Sequence, residues 1–319
     1  MARPPWYRDA RLKRAVKLTV GAVVVAAVGR QAARAWSHLG ADGRSVRVDG
    51  GWIAASMAVY LGGLLALGLV YSRVLDRGPN RVGRWAAIRA YLVSHLGKYV
   101  PGKALVVVMR VGLVTPFGAR PATAAFAALY ETLLMMAAGG LLSAAVGAGP
   151  TFDLGPWHIP AALVGLGVGS ALLVVVWPSV FPRLASLARL PFPGVGPDAI
   201  PRLSGRLLAE GLATSFVGWG LLGLSQVAVL RSIGVALSPS TWPAVVGAVA
   251  LATVAGFVVP IAPGGLGVRE WVLWTTLGAL APGGLAVVGA ILLRLSWLVA
   301  EILAAAVAML IRPAVAPPC

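Results

Sequence analysis

Apolar runs of about twenty residues, the length that crosses a bilayer, recur along the whole chain between loops rich in arginine, proline and glycine. A helix rises about 1.5 Å per residue and the hydrocarbon core is about 30 Å thick, so each such run predicts a transmembrane helix. Full spans are read over residues 17–36, 52–71, 121–147, 158–180, 206–231 and 283–311. The alternation in ten-residue blocks that marks a membrane barrel does not occur.

Two segments depart from this pattern. Residues 85–118 are interrupted by His95-Leu-Gly-Lys-Tyr-Val-Pro-Gly-Lys103, and residues 242–282 by Pro260-Ile-Ala-Pro-Gly-Gly-Leu-Gly-Val-Arg-Glu270. Backbone that leaves the helix at membrane depth loses its hydrogen-bond partners and survives only where protein or a wet cavity supplies others. Paired interruptions point to a transport site.

Loop charge orients the spans, because cytoplasmic loops concentrate Lys and Arg. Arg3, Arg8, Arg11, Lys13, Arg14 and Lys17 place the N-terminus in the cytoplasm, and Arg73, Arg77, Arg81, Arg84 and Arg89 against Asp76 place the next long loop there too. The loop after residue 147 carries Asp153 without Lys or Arg and reads as external, whereas Arg183, Arg189, Arg202 and Arg206 return the chain to the inside. Both ends of 85–118 are then cytoplasmic and both ends of 242–282 external. The reading is an all-α polytopic membrane protein of about six full spans plus two opposed re-entrant helical hairpins. A basic cytoplasmic tail (1–16) precedes a first repeat (17–147), a second repeat of inverted topology (158–311) and a C-terminal tail (312–319). Glu131 follows Gly102 at the same interval as Arg294 follows Gly265, which puts opposite charges at matching places. Two alternatives stay open: a cleaved signal peptide for the first run, and eight simple spans with broken helices.

Composition agrees with this class. Hydrophobic residues make up 59%, charged residues 12%, and the mean hydropathy is +0.86, which leaves little chain for a soluble domain. A net charge of +17 would suggest nucleic acid in a soluble protein, but here the basic residues flank apolar spans, where they anchor the chain to anionic lipid and set topology. No nucleic-acid motif occurs. The lone cysteine, Cys319, excludes an intrachain disulfide and a Cys-His metal site. No Ser-His-Asp, Cys-His or HExxH constellation is present, and the glycine cluster lacks the Gly-Lys-Ser/Thr ending of a phosphate-binding P-loop. The expectation is a non-enzyme with no catalytic residue, no metal and no cofactor.

The candidate chemistry lies in charges at membrane depth. Every Asp falls in a tail or loop, while Glu131, Glu210, Glu270 and Glu301 fall within or beside apolar segments. An ionisable group at a helix centre costs about 2.5–3.5 kcal/mol on insertion scales, so such groups face a bundle interior or cavity with a partner. Glu131 is read as pairing with Arg294, either in a site or as a lock between the repeats. Arg294, Trp297 and Glu301 share one helix face. Glu210 reads as an interfacial pair with Arg206 one turn earlier and is left out of the site. Lys98 and Lys103 bracket Tyr99, Pro101 and Gly102 at the first break, and Arg110 follows on the returning limb. Lysines beside exposed helix ends suit a phosphate, though they also serve to anchor a hairpin at the headgroups. At the second break Pro263, Gly264, Gly265 and Gly267 permit close backbone approach, and Arg269 and Glu270 open the next helix.

Leu96-Gly-Lys-Tyr-Val-Pro-Gly-Lys103 with Arg110-Val-Gly-Leu113, followed by Pro263-Gly-Gly-Leu-Gly-Val-Arg-Glu270, resembles the two signature stretches of the lysylphosphatidylglycerol synthetase transmembrane domain family. The resemblance covers nearly the whole chain. It implies a flippase domain that moves aminoacylated phosphatidylglycerol between leaflets, and a stand-alone member, since no aminoacyl-transfer domain follows Pro318. The substrate-binding set expected is Lys98, Tyr99, Pro101, Gly102, Lys103, Arg110, Glu131, Pro263, Gly264, Gly265, Gly267, Arg269, Glu270, Arg294 and Glu301. The function expected is a lipid translocase of the cell inner membrane whose partners are membrane lipids, anionic or aminoacylated phospholipid. A homo-oligomer and a separate lipid-modifying enzyme stay open as further partners. The alternatives are an enzyme or enzyme subunit that modifies a headgroup or polyprenyl carrier through Glu131 or Glu270, and a scaffold that recruits such an enzyme.

Overall fold

The computed structural model describes residues 47–99, 104–147, 151–154, 157–188, 196–258, 265, 267–281, 284–311 and 313. The first apolar run, 17–36, lies outside them. The described residues form ten helices: α1 (Gly50–Leu75), α2 (Arg84–Ser94), α3 (Ala104–Val114), α4 (Pro121–Ala145), α5 (Ala161–Val175), α6 (Phe181–Ala188), α7 (Gly205–Ser232), α8 (Trp242–Val258), α9 (Val268–Leu277) and α10 (Leu285–Leu310). One antiparallel pair of four-residue strands, β1 (Thr151–Leu154) and β2 (Trp157–Pro160), joins α4 to α5.

Among the described residues five helices are long and apolar enough to cross a membrane: α1, α4, α7, α10, and α8 with the short turn before it, Pro239–Val258. Polytopic all-helical architecture is thus what the apolar pattern indicates. Two lengths differ from the sequence reading. The segment read as a span over 158–180 gives its first residues to β2, and α5 has only 15 residues, about 22 Å of helix and short of the hydrocarbon thickness. The first limb of the second interrupted segment, read as half a hairpin, is by contrast long enough to cross alone.

The spine of the bundle is the antiparallel pair α1 and α7. Asp49 caps α1 by accepting from the amide of Gly51 at 2.7 Å, and its own amide donates to the carbonyl of Ser232 at the end of α7 at 2.8 Å. At the opposite ends, the amide of Arg202 donates to the carbonyl of Arg77 at 3.1 Å. Between these pins, Gly63 and Gly218 face one another, and a Cβ on Gly63 would lie 2.3 Å from Leu222 Cδ1. In lipid, apolar burial supplies little drive for helix association, so close backbone approach at small residues does this work.

The same device joins α4 to α5. A Cβ on Gly140 would lie 2.7 Å from the carbonyl oxygen of Gly165, and one on Gly169 would lie 2.7 Å from the amide nitrogen of Leu141. Both obstacles are backbone and cannot rotate away. Gly169→Leu is therefore expected to lower stability by about 1–3 kcal/mol, the cost of overpacking, while Gly167→Leu on the open face of α5 leaves it unchanged. Thermal unfolding of the detergent-solubilised protein checks the contrast; equal melting of the two variants would refute close packing of α4 on α5.

Each interrupted segment folds back on itself. Helix α2 continues as a 3-10 turn, His95–Tyr99, and packs against α3 on the far side of residues 100–103. Gly97 permits the approach, since a Cβ there would lie 3.0 Å from the amide nitrogen of Val106. Helix α8 packs against α9 across the second break. The end of α10 docks on the start of α2: Arg89 Nε donates to the carbonyl of Ala308 at 2.8 Å and Trp85 Nε1 to that of Ile311 at 3.1 Å. A guanidinium at the carbonyl end of α10 is also favoured by the helix dipole.

Candidate functional site

A cavity of about 350 Å³ lies between the two breaks, within the usual size range of small-ligand sites. Its walls come from both interrupted segments and from the long helices around them. The first segment gives Tyr91, His95, Lys98, Val106, Val107 and Arg110; α4 gives Leu129, Glu131, Thr132, Met135 and Met136; α8 and α9 give Thr253, Gly256, Phe257 and Arg269; and Tyr60, Leu64, Leu222 and Trp297 complete it. Most of this lining is apolar, with three cations and one carboxylate set into it.

Arg110 and Glu131 are fully enclosed, at 2% and 1% exposure. Arg110 Nη1 donates to Glu131 Oε2 at 2.6 Å and Nε donates to Ser94 Oγ at 3.1 Å. The guanidinium plane lies over the rings of Tyr91 and Tyr71, with centroids at 4.2 and 5.0 Å, and the Tyr91 hydroxyl donates to Glu131 Oε1 at 3.3 Å. Hydrogen bonds and two aromatic faces thus compensate two charges that would be prohibitive alone.

The expected pairing of Glu131 with Arg294 does not form. Arg294 Nη1 instead donates to Glu270 Oε1, so each half of the chain closes its own pair between the second limb of its interrupted segment and the long helix that follows. Arg110 on α3 meets Glu131 on α4, and Glu270 on α9 meets Arg294 on α10. The matching places carry opposite charges, as the residue intervals indicate, but the limb carries the complementary charge in each half and so satisfies it locally.

A third pair runs between the halves. Lys98 Nζ donates to Glu301 Oε1 at 2.5 Å, and the Tyr60 hydroxyl donates to the same oxygen. Tyr60 stacks on Trp297 with ring centroids 4.4 Å apart and planes 11° apart. Trp297 Nε1 donates to Ser225 Oγ at 2.8 Å, and Ser225 meets Ser56 at 2.9 Å. Spacing along α10 therefore turns Arg294, Trp297 and Glu301 toward the two breaks. The pair of Arg206 with Glu210, at 2.8 Å, is exposed and away from this network.

Arg269 stands apart from the other cations. Its guanidinium lies over the Trp297 ring at 5.0 Å, and among the described residues no carboxylate comes within ion-pair distance of it. The backbone is shaped around it: a Cβ on Gly256 would lie 2.7 Å from Arg269 Cγ, and one on Gly265 would lie 2.9 Å from Gly256 Cα. Gly265 and Gly267 have φ of +73° and +85°, conformations that glycine adopts without strain. The Gly267 amide donates to Glu270 Oε2 at 2.7 Å, so Glu270 caps α9 with one oxygen and holds Arg294 with the other.

Of the expected site residues, Lys98, Arg110, Glu131 and Arg269 line the cavity, while Tyr99, Gly265, Gly267, Glu270, Arg294 and Glu301 stand behind it or beside the breaks. Pro101, Gly102, Lys103, Pro263 and Gly264 lie outside the described residues. Tyr60, Tyr91, His95, Trp297, Thr132 and Thr253 were not among those expected. Their signal in the sequence is the polar end of an aromatic or a threonine inside an apolar run, where a hydroxyl needs a protein partner. Among the described residues no three His, Cys, Asp or Glu side chains gather to hold a metal ion.

Curated proteins give no match to the chain. The family model described as "Lysylphosphatidylglycerol synthase TM region" matches residues 14–305; the chain belongs to that family, which together with its membrane-helical architecture ties it to lipid modification or translocation.

Proposed function

We propose that this protein is a lipid translocase, not an enzyme, that moves a polar, phosphate-bearing headgroup between the leaflets of the inner membrane. The observation that carries the reading is Arg269: a cation on the wall of a cavity between the two breaks, with no carboxylate of the described residues in ion-pair contact. A charged headgroup cannot enter hydrocarbon unaided. Arg269, Lys98 and the polar edges of Tyr60, Tyr91, Thr132 and Thr253 replace part of its hydration, while the acyl chains stay in lipid. The two locally closed, charge-exchanged pairs support an inverted repeat. On that reading the breaks belong to hairpins entered from opposite faces, with the N-terminus and the arginine loops around Arg77 and Arg202 in the cytoplasm.

Headgroup chemistry through Glu131 or Glu270 draws less support, since each carboxylate is already engaged by a guanidinium. Arg269→Gln should cut headgroup translocation in reconstituted vesicles by about tenfold or more, the loss of one charge-assisted contact at membrane depth, with melting behaviour preserved. An unchanged rate would remove Arg269 from the pathway. A covalently altered lipid product in place of leaflet redistribution would overturn transport.

A further inference from the structure

The geometry points to a narrower substrate class: lipids whose headgroup is net anionic, bearing phosphate without added ammonium groups. This rests on the translocase reading and concerns which lipid the cavity accepts. The sequence places four glutamates in or beside its apolar segments, and a cation of the chain engages every one. Glu131 holds Arg110, Glu210 holds Arg206, Glu270 holds Arg294 and Glu301 holds Lys98. Among the described residues these glutamates are all committed, and Arg269 meets no carboxylate.

A phosphate entering the cavity supplies the missing countercharge. Each ammonium of an aminoacylated headgroup would instead need a carboxylate that is already committed, and uncompensated charge at this depth is costly. One carboxylate oxygen, Oε2 of Glu301, has no donor among the described residues. Its charge is balanced by Lys98, however, and Glu301 does not line the cavity. The leftover cation is also of the suitable kind. A guanidinium presents a planar fork of donors that matches two phosphate oxygens, and the face of Trp297 fixes that plane. Thr132 and Thr253 donate to the carbonyls of Ala128 and Val249, both at 2.8 Å. Their lone pairs then serve as acceptors for the hydroxyls of an uncharged polyol attached to the phosphate.

Vesicles reconstituted with the full chain and tail-labelled phosphatidylglycerol, phosphatidylethanolamine or lysyl-phosphatidylglycerol measure the preference, with leaflet position read by chemical quenching. Retention of each lipid by the purified protein is measured in parallel. Phosphatidylglycerol should move, and be retained, about tenfold or more in excess of the two amine-bearing lipids, the scale set by one unpaired charge at membrane depth. Arg269→Glu should reverse the order, and Arg269→Gln, the milder change, should flatten it. Faster movement or stronger retention of the lysyl lipid by the unmodified protein would overturn the inference while leaving translocation in place. Selective retention of phosphatidylglycerol with no movement of any lipid would uphold the substrate class and overturn translocation. Indifference to headgroup in both measurements would overturn the class.

Discussion

Arg110→Met should destabilise the protein by about 3–5 kcal/mol, because it strands the carboxylate of Glu131, at 1% exposure, without its cation. The Tyr91 hydroxyl still donates to that carboxylate, but a neutral donor does not replace the charge of the guanidinium at a carboxylate this deeply buried. The double variant Arg110→Met/Glu131→Leu should recover most of the loss, since well-packed apolar residues of similar volume often match a buried ion pair in stability. Chemical denaturation of the solubilised protein gives both values. Translocation by the double variant separates a lock from a working part. A pair that merely fastens α3 to α4 would allow normal transport once stability returns, whereas a wall of the headgroup cavity would not, and a slow but stable double variant is the expected result. A single variant as stable as the parent would sink the account of the pair.

Local closure of these pairs explains how two halves of one chain can carry opposite charges at matching places without needing each other. In each half the second limb and the following long helix form a unit held by one ion pair, Arg110 with Glu131 and Glu270 with Arg294. On the translocase reading, rigid units are what alternating access requires, because one must rock against the other around a shared site. On that reading the charges available for the movement are Lys98 with Glu301, which join the halves, and Arg269, which among the described residues meets the Trp297 ring and no carboxylate.

Hydropathy and the breaks were readable from the sequence because lipid imposes a length on each span and a penalty on each irregular turn. Intervals between Gly102 and Glu131 and between Gly265 and Arg294 revealed a correspondence between the halves, yet they suggested that Glu131 and Arg294 meet. Equal spacing carries no information about contact, and each charge is as easily satisfied by its own neighbour. Arg110 and Glu270 were each noted as candidates, but only the fold-back of α3 beside α4 and of α9 beside α10 could assign their partners. Tyr60 escaped notice, and Trp297 was placed on the helix face of Arg294 and Glu301 without a role, because an aromatic in an apolar span ordinarily reads as packing. Their stacking depends on α1 and α10 being neighbours, which no local pattern encodes. The brevity of α5 was hidden for a related reason: the apolar run was counted from His158, whereas pairing of His158 to Pro160 with Thr151 to Asp153 takes those residues out of the helix.

The tie between the halves should respond unequally to removal of its two partners. Glu301 has a side chain at 0% exposure, whereas that of Lys98 retains 22%. Lys98→Ala therefore leaves a fully buried carboxylate facing only neutral hydroxyls, those of Tyr60 and the nearby Tyr99, in place of its cation, which costs about 3–5 kcal/mol. Glu301→Gln leaves a lysine that can turn its ammonium into the cavity along a flexible stem. The amide at 301 still accepts from Tyr60, and the loss should stay under about 1 kcal/mol, the scale of a partly exposed pair. Lys98→Ala/Glu301→Gln should then be more stable than Lys98→Ala alone, the sign of coupling that a double-mutant cycle reads for residues in contact. Both single variants should slow translocation, since Lys98 lines the cavity and Glu301 holds it there, but only one of them should unfold early on heating. If Glu301→Gln proved the more damaging to stability, the buried carboxylate would have to be balanced by something other than Lys98, and the join between the first break and α10 would need a different cause.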